Sequence, residues 1–134
     1  MIERTAGPLT LRPADQHAVS RFLLSVPPKS GVLFGNTPAN AHRSANAELT
    51  VDQPGGGQLS YEISIVDSTT DRVGVLIGTF MYDAAPCTLV LRTPDGEELW
   101  LRGRIDNCIF ISGRIHIVGI ALESPVDVAS IIEI

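Results

Sequence analysis

A short polar segment between two apolar runs carries the side chains best suited to bind a ligand. Within six residues, Asp67 supplies a carboxylate, Thr69 a hydroxyl and Arg72 a guanidinium. Apolar residues end just before the segment and resume at Val73, which is typical of a turn between two strands. Such a turn can orient hydrogen-bond donors and acceptors at the mouth of a barrel. The same pattern also fits an ordinary turn in which Asp67 bonds only to the local backbone.

Residue types and spacing give little support for metal binding or catalysis. The histidines, His17, His42 and His116, stand far apart, and none has a cysteine or carboxylate at a ligand spacing. No G-x-S-x-G motif occurs, and neither Cys87 nor Cys108 has an activating neighbour. Both cysteines are expected to be buried free thiols. We therefore predict a protein that is not an enzyme and holds no metal or cofactor.

The charge balance argues against a general nucleic-acid-binding surface. The chain has 134 residues, a net charge of −5 and a sequence pI of about 5.0. Binding to DNA or RNA concentrates cations against phosphates, so neither polymer is expected as a partner. A small anionic ligand needs only a local cluster of cations. Nearly all the basic residues are arginine, whose planar fork pairs with phosphate or with the edge of guanine.

Neither a targeting segment nor a membrane span is visible in the sequence. The first residues, MIERTAGPLTLRP, lack the basic start and apolar run of a signal peptide. No apolar stretch approaches the roughly 20 residues that a helix needs to cross a bilayer. We expect a cytoplasmic protein that does not insert into membranes.

The N-terminal third predicts one helix between irregular segments. From residue 13 to residue 25, an apolar stripe at three- and four-residue spacing predicts an amphipathic helix, formed by Val19, Phe22 and Leu23. The arm before it is predicted to be loose or paired at a sheet edge. Residues 27–44 contain Gly, Pro, Asn and Ser throughout, which predicts a long connector.

From about residue 45 the sequence changes to apolar runs separated by turn signals. Six strand patterns cover residues 47–52, 61–65, 73–80, 88–92, 99–111 and 115–120. Between them, PGGGQ at 54–58 and TPDGEE at 93–98 are hairpin signals. Short strands at regular intervals predict an all-β antiparallel barrel or sandwich. The last ten residues fit either a short helix or a final strand.

The stretch from residue 43 to about residue 123 resembles the PilZ domain family in the order and spacing of its motifs. The family's D-x-S-x-x-G turn corresponds to Asp67–Arg72, and the following Pro-Asp-Gly hairpin to TPDGEE. The L-x-L-x-G/A-R-V strand corresponds to Leu99–Ile105, and the closing V-G-I-x-F strand to Ile117–Leu122. The resemblance implies a bacterial protein with a six-stranded antiparallel split barrel, here preceded by the N-terminal helix.

The resemblance also implies a ligand, cyclic di-GMP, and the residues that bind it. Asp67 and Thr69 match the acid and the hydroxyl of the turn, and Arg43 matches one arginine of the R-x-x-x-R loop. The second arginine of that loop is missing, because Ala39 stands four residues earlier. Arg72 replaces the glycine of the turn and can supply the cation that the loop lacks.

These observations predict a non-catalytic regulatory domain that binds cyclic di-GMP and relays its binding to a protein partner. Residues 1–42 would form the arm, helix and connector, and residues 43–134 the PilZ-like barrel domain. The departures from the family pattern leave an alternative open. In that alternative the chain is a PilZ-like adaptor that binds a protein partner and no longer binds the nucleotide.

Overall fold

The secondary structure is mostly strand, with one helix in the part of the chain that is described. The computed structural model describes residues 3–5, 9, 11–25, 47–93 and 95–126. The helix α1 (Pro13–Ser25) has the predicted bounds, and no described helix is long and apolar enough to cross a bilayer. The strands are β1 (Glu3–Thr5), β2 (Ala47–Asp52), β3 (Gln58–Ser68), β4 (Arg72–Ile77), β5 (Pro86–Arg92), β6 (Glu98–Ser112) and β7 (Ile115–Leu122).

Six of these strands close into an antiparallel barrel. They are hydrogen-bonded in the order β3, β2, β5, β6, β7 and β4, and β4 pairs back with β3. This confirms the predicted six-stranded antiparallel barrel with an N-terminal helix. The short β1 is an addition to it, because it pairs in parallel with the first residues of β3. Closure gives each barrel strand a partner on both sides and removes the exposed edges of an open sheet.

Alternate residues of each strand fill the barrel interior. In β4, Val73, Val75 and Ile77 are fully buried there, as the two-residue period of a strand requires. The other strands add Leu49, Ile63, Ile65, Leu89, Leu91, Ile105, Val118 and Ile120. Burial of one such side chain contributes about 1.5–3 kcal/mol, so this interior is the main source of stability.

A second, smaller core lies between the outside of the barrel and α1. Val19 is fully buried in it, and Phe22 packs against the same cluster, which includes Leu76 and Ile117. Leu76 lies between interior residues along β4, so that strand is covered on both faces. Burial on both faces explains its continuous apolar run. The side chain of Leu23, the third residue of the predicted stripe, lies outside the described part.

Strand β4 is shorter than the apolar pattern predicts. The pattern extends to Phe80, but the strand ends at Ile77 and residues 78–85 form a loop. Phe80 is 54% exposed, and its ring packs edge-on against Tyr82 and His116. The apolar character of this part of the sequence therefore belongs to a surface cluster and not to the core.

A buried carboxylate ties the start of α1 to the β6–β7 hairpin. Asp15 accepts hydrogen bonds from the Arg12 backbone N–H at 3.1 Å and from its Nε at 3.0 Å. It also accepts one from Ser112 Oγ at 2.9 Å. The hydrogen bond from the Arg12 side chain is the main reason that the pKa of Asp15 is lowered to about 2 from 3.8.

This lowered pKa makes stability depend on pH in acid. The folded state favours ionised Asp15, so its contribution is complete above about pH 4 and is lost as the pH falls towards 2. We expect the free energy of unfolding to decline across this window, and Asp15→Asn to lack that part of the decline. Urea unfolding at a series of pH values measures both. An equally steep decline in the variant would contradict this role of Asp15.

Both cysteines are free thiols. Cys87 is fully buried in the interior, and this burial raises its pKa to about 12. Cys108 is partly buried, which raises its pKa too, and its Sγ accepts a hydrogen bond from the Met81 N–H at 3.4 Å. The prediction of buried free thiols is confirmed for Cys87 and holds in part for Cys108. Neither thiol ionises readily, so neither is suited to act as a nucleophile.

Candidate functional site

The segment Asp67–Arg72, here called the corner, joins the end of β3 to the start of β4. The Thr69 N–H donates to the Arg72 carbonyl at 2.8 Å, and the Arg72 N–H donates to Thr69 Oγ1 at 3.2 Å. The Thr69 hydroxyl in turn donates to Asp71 Oδ1 at 2.9 Å. The Thr69 hydroxyl therefore stabilises the turn twice, as an acceptor from the Arg72 N–H and as a donor to Asp71.

The last residue of β7 and the chain that follows it hold the corner from the other side. The Leu122 N–H donates to the Asp71 carbonyl at 2.8 Å, and the Val126 N–H donates to the Thr70 carbonyl at 2.6 Å. Val126 also packs against the barrel core. The corner thus has a defined backbone shape, which is what a binding site on a loop requires.

Removal of the Thr69 hydroxyl is expected to loosen the corner. In Thr69→Val the Arg72 N–H and the Asp71 carboxylate each lose a partner at nearly constant side-chain volume. Because Asp71 is exposed and water can replace that bond, we expect a loss of about 1 kcal/mol in the free energy of unfolding. Thr69→Ser keeps the hydroxyl and should stay closer to the wild type. Urea unfolding of the three proteins checks this, and equal stability of the valine and serine variants would contradict it.

The Arg72 side chain lies on the outer face of the barrel. Its neighbour Val73 is buried in the interior, so Arg72 faces outward. Its Nη1 donates to the carboxylate of Asp106, which lies on β6 beyond β7. The Arg72 side chain remains 41% exposed and that of Asp106 33% exposed, so the pair is reachable from solvent.

A second arginine lies in the same cross-strand row. Ala121 of β7 pairs with Arg72 on one side and with Arg104 on the other. The two arginine Cα atoms are therefore about 10 Å apart, two strand spacings, with a methyl group between them. Arg104 is exposed, and within the described residues its side chain has no hydrogen-bond or ion-pair partner.

The backbone at the position of the family's glycine needs no special conformation. Among the described residues, Ala84 is the only one other than glycine with a positive φ. Arg72 begins a regular strand and pairs with Ala121. An arginine is therefore accommodated at this position without backbone strain.

The structure brings together two of the four residues predicted from the sequence to form the site, Thr69 and Arg72. The backbone of Asp67 pairs with Gly74 of β4, just after an irregularity in the β3–β4 pairing. The side chain of Asp67 and the whole of Arg43 lie outside the described part of the chain.

Sequence reasoning missed Arg104 and Asp106 as members of this surface. They are two residues apart on β6, which puts both on one face of the strand. Arg104 is the arginine of the L-x-L-x-G/A-R-V pattern, so a signal for it was present in the sequence. The proximity of Asp106 to Arg72 depends on the register of three strands, which no local pattern contains.

The charged side chains beside the corner are suited to recognising a ligand. The described charged side chains are two cations, Arg72 and Arg104, and two carboxylates, Asp71 and Asp106. An anionic ligand must therefore compete with Asp106 for Arg72. No group of three His, Cys, Asp or Glu residues in the described ranges is placed to hold a metal ion.

Comparison of the chain with protein-family models gives no match, and comparison with curated proteins gives none. The family resemblance therefore rests on the motifs in the sequence.

Proposed function

We propose that this barrel is a non-catalytic regulatory domain that binds cyclic di-GMP on its outer face, beside the corner. The observation that carries the proposal is the row in which Arg72 and Arg104 flank Ala121. The ligand presents two phosphate charges and two guanine rings. An arginine can pair with the phosphate, stack on the base or bind the O6/N7 edge of guanine.

The resemblance to PilZ domains supports the same location. The turn motif of that family falls on the corner, where Thr69 and Arg72 are joined by hydrogen bonds. Asp67 and Arg43 are carried over from the motifs as further ligand contacts. Arg43 precedes the first barrel strand in the sequence.

A physical connection between the site and the rest of the surface supports a relay to a protein partner. Ile105 lies on β6 between Arg104 and Asp106. Its carbonyl accepts from the Ala84 N–H at 2.7 Å, and its N–H donates to the Ala85 carbonyl at 3.0 Å. A shift of β6 on ligand binding would therefore move the loop after β4 and alter the surface that a partner contacts.

Calorimetric titration of the full chain with cyclic di-GMP tests the proposal. We expect saturable binding that weakens in Arg104→Ala, because Arg104 has no protein ion pair to lose within the described residues and its removal leaves the fold intact. GMP serves as the control ligand, since it has one phosphate and one base. Absence of heat at high cyclic di-GMP concentration would overturn the proposal.

One observation favours a second candidate, an adaptor that binds a protein without the nucleotide. Asp106 already neutralises Arg72, and Asp71 adds a further carboxylate beside it. Such a surface attracts a dianion weakly unless other cations join it. An adaptor of this kind gives no heat with cyclic di-GMP, and its partner binding does not change when the nucleotide is removed.

A further inference from the structure

Exposed aromatic rings collect on one part of the surface, away from the corner. Phe80 is 54% exposed, Tyr82 74% and Phe110 61%. The rings of Phe80 and Tyr82 meet edge-on at 5.1 Å, and His116 joins Phe80 to Phe110. Single exposed apolar residues are ordinary, but a contiguous group marks a surface that binds something.

The group leads into a groove of about 480 Å³ between the β2–β3 hairpin and the loop after β4. Tyr61 lines the hairpin side of the groove, and Phe80 and Tyr82 line the loop side. Pro54 and Pro86 also contribute to its walls. This volume lies within the range of sites that hold ligands of a few hundred daltons, so it suits a few residues of a peptide and not a folded domain.

The charged side chains that line the groove are acidic. Among the described lining residues these are Asp52 and Asp83, and none of the described lining residues is lysine or arginine. Asp52 also forms an ion pair with Arg102, whose Nη2 lies 3.4 Å from Asp52 Oδ2. Asp83 is exposed on the lip, next to Tyr82, and forms no ion pair with a described residue. A cation docked here meets a carboxylate and the faces of aromatic rings together.

The loop side of the groove is held in a fixed shape. Ala84 has a φ of 65°, a left-handed conformation that is unfavourable for an alanine. The two backbone hydrogen bonds to Ile105 hold the loop in this conformation. The Met81 N–H adds a bond to Cys108 Sγ. A wall that is already ordered loses little entropy when a ligand binds to it.

We propose that this groove docks a short, extended, proline-containing segment of a partner protein that carries an arginine or lysine. Aromatic-lined grooves bind proline-rich segments because such segments are already extended and have no internal hydrogen bonds to break. The basic residue of the segment lies over the rings of Phe80 and Tyr82 and pairs with Asp83. The inference goes beyond nucleotide binding and does not depend on it.

Selection from a random peptide library displayed on phage, with the full chain as bait and no nucleotide present, tests the proposal. We expect the enriched peptides to contain proline together with arginine or lysine. Synthetic fluorescent copies of them should bind the wild type in an anisotropy titration. Tyr82→Ala and Asp83→Lys should each weaken this binding by about tenfold or more, because both side chains contact the peptide directly.

Two matched controls stand outside the groove. Trp100→Ala removes another aromatic ring that is 65% exposed, and Asp95→Lys reverses another exposed charge. Both should leave peptide affinity unchanged. Tyr82 and Asp83 are exposed, so their variants should fold. Circular dichroism of each variant checks this independently.

Three results would overturn the proposal. They are failure to enrich any peptide, enrichment of peptides without proline and a basic residue, and equal affinity for the wild type and Tyr82→Ala. Sedimentation measures the oligomeric state and so tests whether a second copy of the chain occupies the groove. A wild-type dimer that Tyr82→Ala converts to a monomer would assign the groove to a second copy of this chain instead. None of these results bears on the calorimetry with cyclic di-GMP, so the two proposals fail separately.

Discussion

Replacing Arg72 by alanine is expected to weaken the binding of cyclic di-GMP about ten- to hundredfold. In the proposed complex Arg72 donates a charge-assisted hydrogen bond to the ligand, and the variant would lose this bond, worth about 1.5–3 kcal/mol. Each factor of ten in affinity corresponds to about 1.4 kcal/mol. The ion pair of Arg72 with Asp106 is partly exposed, so its removal should change the free energy of unfolding by no more than about 1 kcal/mol.

The opposite result is expected when the competing carboxylate is removed. Asp106→Asn keeps the shape of the side chain but removes the carboxylate charge that competes for the Arg72 guanidinium, so affinity should rise several-fold. Calorimetry should therefore show lower affinity in Arg72→Ala and higher affinity in Asp106→Asn, although both substitutions break the same ion pair. Arg92→Ala is the matched control, because Arg92 pairs with Glu48 and Glu98 on another part of the surface. Equal losses of ligand affinity in Arg72→Ala and Arg92→Ala would mean that the effect comes from net charge alone. Such a result would contradict a local site at Arg72.

A methyl group at Gly103 is expected to destabilise the barrel by about 2 kcal/mol. A Cβ atom built there would lie 2.6 Å from the Ala121 carbonyl oxygen and 3.0 Å from Ile120 Cγ2. The first contact is with backbone, so β7 would have to move away from β6. Overpacking of this kind costs about 1–3 kcal/mol, and the lower entropy of the unfolded alanine chain offsets only part of that. The displaced residue, Ala121, separates Arg72 from Arg104, so ligand binding should weaken as well.

Gly78 provides the matched control for this substitution. Among the described residues, a Cβ atom at Gly78 would meet only Leu9 Cδ1, at 3.9 Å, which is an ordinary contact. Its φ is not in the left-handed region, so Gly78→Ala should leave stability unchanged or raise it by up to about 1 kcal/mol. Urea unfolding of both variants measures the difference. Similar stability of Gly103→Ala and Gly78→Ala would mean that β6 and β7 are not packed as closely as described.

The parts of the fold that follow from the sequence are those with local causes. The hairpin at TPDGEE is an example, because the Thr93 N–H bonds to the Glu97 carbonyl and Gly96 has a φ of 88°. Turn residues and strand alternation are both readable from neighbouring positions. The end of β4 was not readable, because an exposed cluster and a buried strand give the same apolar pattern around Phe80. The N-terminal arm was predicted to be loose or paired at a sheet edge, and β1 does pair with β3. The identity of its partner, more than 50 positions away, and the parallel direction left no local signal.

The candidate site likewise has a part that the sequence could predict and a part that it could not. The corner could be found because the contacts among Thr69, Asp71 and Arg72 span at most three residues. Asp106 is 34 positions from Arg72, and their meeting requires β4, β7 and β6 in one register. A register shift in the β6–β7 pairing between Ile105 and Asn107 intervenes. The groove was missed because its walls come from two loops that only the closed barrel brings together.

The most direct test of the central claim is an NMR titration of the isotope-labelled full chain with cyclic di-GMP, followed through its backbone amides. We expect saturable shifts that concentrate at the corner, at Arg104–Asp106 on β6 and at Ala121 on β7. Saturating ligand that leaves those amides unmoved, or that moves only the amides of residues 80–85 around the groove, would contradict this expectation.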